Sequence, residues 1–167
     1  MPKKRLTVLT GTRADFGKLL PIIHEIQSQR EFEVEVLATG MHLLTRYGYT
    51  IHEIYKAGIR QVFPIFNQDS STSHKTDIVL ANSMVQIGHY LNERRPDLLI
   101  VHGDRVEALA GAIAGSLNNV KVAHIEGVEC RVFVSSGEIK RLARVPSHRV
   151  RAVLQEDLIS FAVGCVR

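Results

Sequence analysis

The stretch Asp97-Leu-Leu-Ile-Val-His-Gly-Asp104, followed by the Ala/Gly-rich segment Arg105–Leu117 and then Val120-Lys-Val-Ala-His-Ile-Glu126, decides the fold class. Two short apolar runs that flank a helix-length segment read as a strand–helix–strand unit, and fully apolar strands belong to a parallel sheet covered on both faces. Each run ends in an acid, Asp104 and Glu126. If the strands are parallel neighbours, both acids emerge at the carboxyl edge of one sheet, where open α/β folds place their ligands.

The same alternation extends toward the N-terminus. Leu6–Thr10 is β-prone and ends at Gly11, and Phe16–Gln29 has helical spacing through Leu19, Leu20, Ile23 and Ile26, with Pro21 near its first turn. Glu33–Ala38 is a second strand, and Leu43–Lys56 is expected to form one helix closed by Gly58. Val62–Phe66 contains Pro64 and suits a sheet edge. Asn67–Lys75 is a polar loop, and Thr76–Arg94 is a long helix that Pro96 terminates. Five strands separated by helices predict an α/β fold with a parallel, doubly wound sheet and right-handed crossovers.

Composition bounds the function classes. A chain of 167 residues is about one domain. The net charge is +4, but residues 128–167 hold seven Lys/Arg against four Asp/Glu, so +3 of it lies in that tail. The tail lacks the stripe of bases interleaved with aromatics that marks a nucleic-acid surface, so no nucleic-acid partner is expected. The apolar run after Lys3, Lys4 and Arg5 is far too short to span a membrane, and nothing after Met1 resembles a secretory leader. Cys130 and Cys165 have no metal or redox spacing, which points to reduced thiols and a cytoplasmic protein. Beyond Gly127 the alternation ends. Arg131–Val134 reads as a strand, and the remainder is open to packing on the sheet, exchange with a partner, or disorder.

Gly11-Thr-Arg-Ala-Asp-Phe-Gly-Lys18 has neither P-loop nor dinucleotide spacing. It is a glycine turn feeding a helix N-terminus, with Arg13 available to grip an anion; equally, Asp15 caps the helix and Arg13 is solvated. Asp104-Arg-Val-Glu107 has capping-box spacing, which is compatible with a catalytic Asp104. Two nearby carboxylates repel, so one holds a proton more readily and the pair can serve as acid and base. His102 and His124 each precede an acid by two residues, and strand alternation puts each on the side of its acid. Proton transfer suits them better than a metal, for which no further ligand stands at a recognised spacing. His42, in Thr39-Gly-Met-His-Leu43, follows the second strand toward the same edge.

Thr10-Gly-Thr-Arg-Ala-Asp-Phe-Gly17, Thr39-Gly-Met-His-Leu43, Val101-His-Gly-Asp-Arg105 and Ala123-His-Ile-Glu-Gly127 together resemble the hydrolysing UDP-N-acetylglucosamine 2-epimerases, which make N-acetylmannosamine for sialic acid. The resemblance covers about residues 5–127. Arg105 is similar to the hydrolysing branch. It implies a Rossmann-like first half (1–127) of a glycosyltransferase type B fold, with a divergent tail (128–167) and the second nucleotide-binding domain outside this chain. After Gly127, Val128 stands where the family has a second glycine, and Ser135 and Ser136 stand where it has an acidic pair, with Glu138 nearby. The implied substrate is UDP-N-acetylglucosamine, with no metal or other cofactor. Implied catalytic residues are Asp104, Glu126, His102 and His124; implied substrate-binding residues are Arg13, Gly17, His42 and Arg105. Members of this family are commonly homo-oligomers, so a homo-oligomer is an open expectation. A half lacking its second wall is expected to turn over weakly or not at all. The alternatives are a non-catalytic half that needs a partner chain, or half of another sugar-nucleotide enzyme such as a glycosyltransferase.

Overall fold

Strand β1 (Lys4–Thr10) lies at the centre of a parallel sheet, between β2 (Phe32–Ala38) and β4 (Leu98–His102). Strand β3 (Val62–Pro64) flanks β2 and β5 (Lys121–Ile125) flanks β4, giving the parallel order β3-β2-β1-β4-β5. The computed structural model describes residues 3–69, 71–72 and 75–125, together with the backbone of Arg131–Phe133 and Ile139–Arg141. Those last two segments form β6 and β7, which extend the sheet antiparallel beyond β5. The expected strand near Arg131 is thus present; the other readings of the tail lie outside the described residues.

Successive residues of a buried strand face opposite sides, so each strand feeds two cores. Leu6, Val8, Leu98, Ile100 and Ile125 pack with Phe16, Leu19, Ile23 and Ile26 of helix α1 (Arg13–Ser28). Leu9, Leu37, Leu99, Val101 and Val122 pack on the other side with Ile87 and Leu91 of α3 (Thr76–Arg94) and Ala110 and Ala114 of α4 (Val106–Leu117). The small residues of α4 permit this approach: a Cβ on Gly111 would stand 2.8 Å from Leu9 and 2.9 Å from Val101.

Three local expectations change. Helix α1 begins at Arg13 rather than Phe16, because the Thr12 hydroxyl accepts the Asp15 N–H at 3.2 Å and caps it. Pro21 therefore lies inside the helix rather than near its start. The single helix expected over Leu43–Lys56 is broken: 3-10 turns at Gly40–Leu43 and Thr45–Tyr47 precede α2 (Ile51–Lys56), because Gly48 and Tyr49 take φ of +84° and +48°, outside the right-handed helical region. Asp104 does not cap α4: Arg105 occupies that position without a side-chain bond. Among the described residues no helix is long and apolar enough to cross a membrane.

Candidate active site at the carboxyl edge

From β1 the strand numbering runs outward to β3 on one side, and from β4 to β5 on the other, so the order reverses between β1 and β4. The loops leaving those two strands diverge and open a crevice at their carboxyl ends. The end of β1 is tied to the end of β2: Thr39 N–H donates to Thr10 O at 2.9 Å and Met41 N–H to Gly11 O at 2.8 Å. Because Thr12 caps α1, the Asp15 carboxylate is released to face β4, where its Oδ1 lies 3.3 Å from Nδ1 of buried His102. Burial pushes the Asp15 carboxyl up, but hydrogen bonds from His102 and Thr12 and the charges of His102 and Arg105 outweigh it and hold it below its ordinary value. Asp15 is thus an anion that fixes the ring of His102.

Asp15, His102, Arg105 and Glu107 line one cavity together with Leu9 and Gly11. A wider cleft of about 310 Å³ adjoins it on the α3 side, lined by Met41, Gln68, Thr76, Val79 and again Arg105 and Glu107. Glu107, in the first turn of α4, is 2% exposed and receives both Nε–H and Nη2–H of Arg105, each at 3.2 Å. Arg105 thus stands between the two cavities with its guanidinium held in a two-point grip.

Asp104 is exposed beside this rim, on a turn whose Gly103 has φ +75°. Ile125 O accepts the Gly103 N–H at 2.8 Å, and Gly103 O accepts from His124 Nε2 at 2.6 Å. A carbonyl can only accept, so His124 carries a proton on Nε2. The ladder pairs Val101 with His124 and His102 with Ile125, which sends the two imidazoles to opposite faces of the sheet. His102 joins the α1 side and His124 the α4 side, so the two do not form one cluster. Glu126 lies outside the described residues, and so does its separation from Asp104.

The remaining candidates are dispersed. Arg13 is exposed at the start of α1, 2.9 Å from Glu53 of α2. Gly17 lies on the outer face of α1, where an added Cβ would meet nothing within 4 Å. His42 is fully buried, with Nε2 3.0 Å from Thr10 Oγ1 and Nδ1 2.8 Å from Thr50 Oγ1. Burial, only partly opposed by Asp15, Thr12 and Glu53, lowers its pKa to about 4. A neutral ring with both nitrogens engaged ties the end of β1 to the approach to α2 rather than reaching the cavity. Two site residues escape a sequence reading that treats both as helix caps: Asp15, which faces His102, and Glu107, which faces Arg105. Thr12-Arg-Ala-Asp15 itself has capping spacing, and that was the signal that Thr12 rather than Asp15 does the capping.

The chain resembles known proteins over most of its length. Residues 24–129 match the family model described as UDP-N-acetylglucosamine 2-epimerase. The UDP-N-acetylglucosamine 2-epimerase of Neisseria meningitidis serogroup B is 40% identical over 126 residues, 75% of this chain and 33% of that protein. The UDP-N,N'-diacetylbacillosamine 2-epimerase (hydrolyzing) of Legionella pneumophila is 30% identical over 148 residues, 84% of this chain and 36% of that protein. The chain thus spans about a third of the length of these curated relatives. A crystal structure of UDP-N-acetylglucosamine 2-epimerase superposes on 95% of this chain and 38% of its own with TM-score 0.65 at 19% identity. The Neisseria meningitidis enzyme bound to UDP-GlcNAc superposes on 94% and 37% with TM-score 0.62 at 20% identity. These likenesses establish the fold, a Rossmann-like parallel sheet flanked by helices, as in one half of a glycosyltransferase type B architecture. With the family model matched across most of the described sheet, the chain belongs to the UDP-N-acetylglucosamine 2-epimerase family.

Proposed function

We propose that this chain provides the sugar-facing wall of a hydrolysing UDP-N-acetylglucosamine 2-epimerase, which converts UDP-N-acetylglucosamine and water to N-acetylmannosamine, the sialic-acid precursor, and UDP in the cytoplasm. The observation that carries the reading is the family match over residues 24–129, which include His102, Arg105 and Glu107 of the cavity at the switch point. In the reaction a base removes the C2 proton, the C2–H pair becomes the C1–C2 double bond, and the C1–O bond breaks as UDP leaves. Water then adds oxygen to C1 while C2 is protonated on the other face. Asp104 and Glu126 are the acid and base, His102 and His124 orient or relay protons, and Arg105 and Arg13 offset charge on departing diphosphate. His42 supports the loop after β1 that receives the substrate, by bonding Thr10 and Thr50.

The described residues form one side of a cleft, and a single wall neither excludes water nor supplies the full binding surface. Expressed as these 167 residues, the protein is expected to bind the nucleotide sugar weakly and to turn it over slowly. The test is incubation with UDP-N-acetylglucosamine in deuterated water, followed by NMR. Free N-acetylmannosamine deuterated at C2, lost in Asp104→Asn, supports the hydrolysing reading; UDP-N-acetylmannosamine as product would assign the non-hydrolysing reaction instead. Binding without turnover favours a half that works only with a partner chain. Neither binding nor turnover rejects the assignment.

A further inference from the structure

Among the described residues Glu107 is the most enclosed carboxylate at the carboxyl edge. Its side chain reaches from the first turn of α4 to the ends of β1 and β2, where Gly11 and Gly40 stand. A Cβ at Gly40 would sit 2.7 Å from Glu107 Oε1 and 2.8 Å from Gly11 O; one at Gly11 would sit 3.4 Å from Glu107 Cδ. Gly40, just past β2, thus vacates space that the carboxylate fills, and the carboxylate also packs on Gly11 just past β1. What the carboxylate does there is hold Arg105, through Nε and Nη2 together.

The Arg105 side chain is 33% exposed and its partner 3%. The grip consumes one edge of the guanidinium and leaves its other N–H groups for the crevice, where the fork geometry suits phosphate oxygens. We propose that Glu107 is a positioning residue, which holds Arg105 in the orientation that receives the diphosphate of a nucleotide sugar. The inference rests on the reading of the site given above and deepens it. Glu107 itself touches no phosphate. By charge alone it would repel one, so its presence beside the anion's cation makes sense through geometry.

That opposition gives the test its sign. The 15N-labelled chain is titrated with inorganic pyrophosphate and with UDP, following the amides of Gly11, Gly103 and Arg105 by NMR, a readout that reaches millimolar affinities. Arg105→Ala should weaken pyrophosphate binding. Glu107→Gln keeps the shape and removes the charge; positioning predicts binding about tenfold weaker, whereas simple electrostatics predicts tighter binding. In an Arg105→Ala background, Glu107→Gln should have no further weakening effect, a non-additivity that general loosening of the fold would not give. Should Glu107→Gln fail to fold, Glu107→Asp carries the same expectation, since it keeps the charge but not the reach. Unchanged or tighter binding in the glutamate variants, alongside weaker binding in Arg105→Ala, overturns the positioning role and leaves the nucleotide-sugar site intact. If neither pyrophosphate nor UDP binds the wild-type chain, both readings fall.

Discussion

Glu35 and Glu107 are both buried carboxylates beside the α3 and α4 layer, and their surroundings differ in kind. Glu35, in the middle of β2, is 0% exposed and enclosed by donors: Tyr90 donates its hydroxyl at 2.5 Å, Arg94 donates Nη2–H, and Arg5 Nε lies 3.2 Å away. Thr7 Oγ1 closes the network 3.0 Å from the Tyr90 hydroxyl. Burial and the bond to Glu35 together push the Tyr90 phenol up. Among the described residues Glu107 has one cationic partner, and cavities open beside that partner. A carboxylate whose acceptor capacity is filled by the protein ties a helix to a sheet. One that leaves its cation's remaining donors to solvent is arranged for something that arrives later.

The largest effect that tests this contrast is on stability. Removing the anion with Glu35→Ala takes from Tyr90, Arg94 and Arg5 the one carboxylate all three share and should cost about 3 kcal/mol in urea unfolding. Glu107→Gln should cost about 1 kcal/mol, because a single arginine loses its anion and the amide oxygen can still accept from it. Equal losses would erase the distinction. His42 sharpens it from another direction, as a buried group kept neutral. Its folded pKa of about 4 lies below the ordinary 6.5, so the unfolded chain takes up the proton first as pH falls. The stabilising contribution is complete above the unfolded value and is lost as pH drops from about 6.5 toward 4, by at most about 3 kcal/mol. Unfolding measured across that range should be flatter in His42→Gln by this amount. Next, Gly40→Ala combines a φ of +60° with a clash against Glu107 and should cost about 2 kcal/mol. Arg13→Ala breaks an exposed pair with Glu53 and should shift stability by no more than about 0.5 kcal/mol.

The sheet was legible because its signals are local. Leu98–His102 and Lys121–Ile125 are apolar runs bounded by turns, and the helices between strands have clear apolar spacing. The broken segment at Gly48 was not, since Leu43–Lys56 has helical composition and the positive φ angles at Gly48 and Tyr49 interrupt it. At the site, the sequence points to His102 and Arg105 through their place at and just past the end of a strand, and both line the cavity. Asp15 and Glu107 are harder to find, because a carboxylate in the first turn of a helix fits capping as well as it fits a partner on another element. Which one applies depends on contacts between Asp15 and His102, 87 positions apart by their numbers, and on the space left by Gly40. The opposite placement of His102 and His124 follows from register, which no single strand encodes.

The bond from His124 to the Gly103 carbonyl carries a mechanical consequence. Where the backbone ladder between β4 and β5 gives out, an imidazole adds one more rung, and Gly103, the residue before Asp104, is stapled to the neighbouring strand through both its N–H and its C=O. The aspartate therefore rides on β5 as much as on β4. A disturbance felt at one strand tip is delivered to the other without passing through the core.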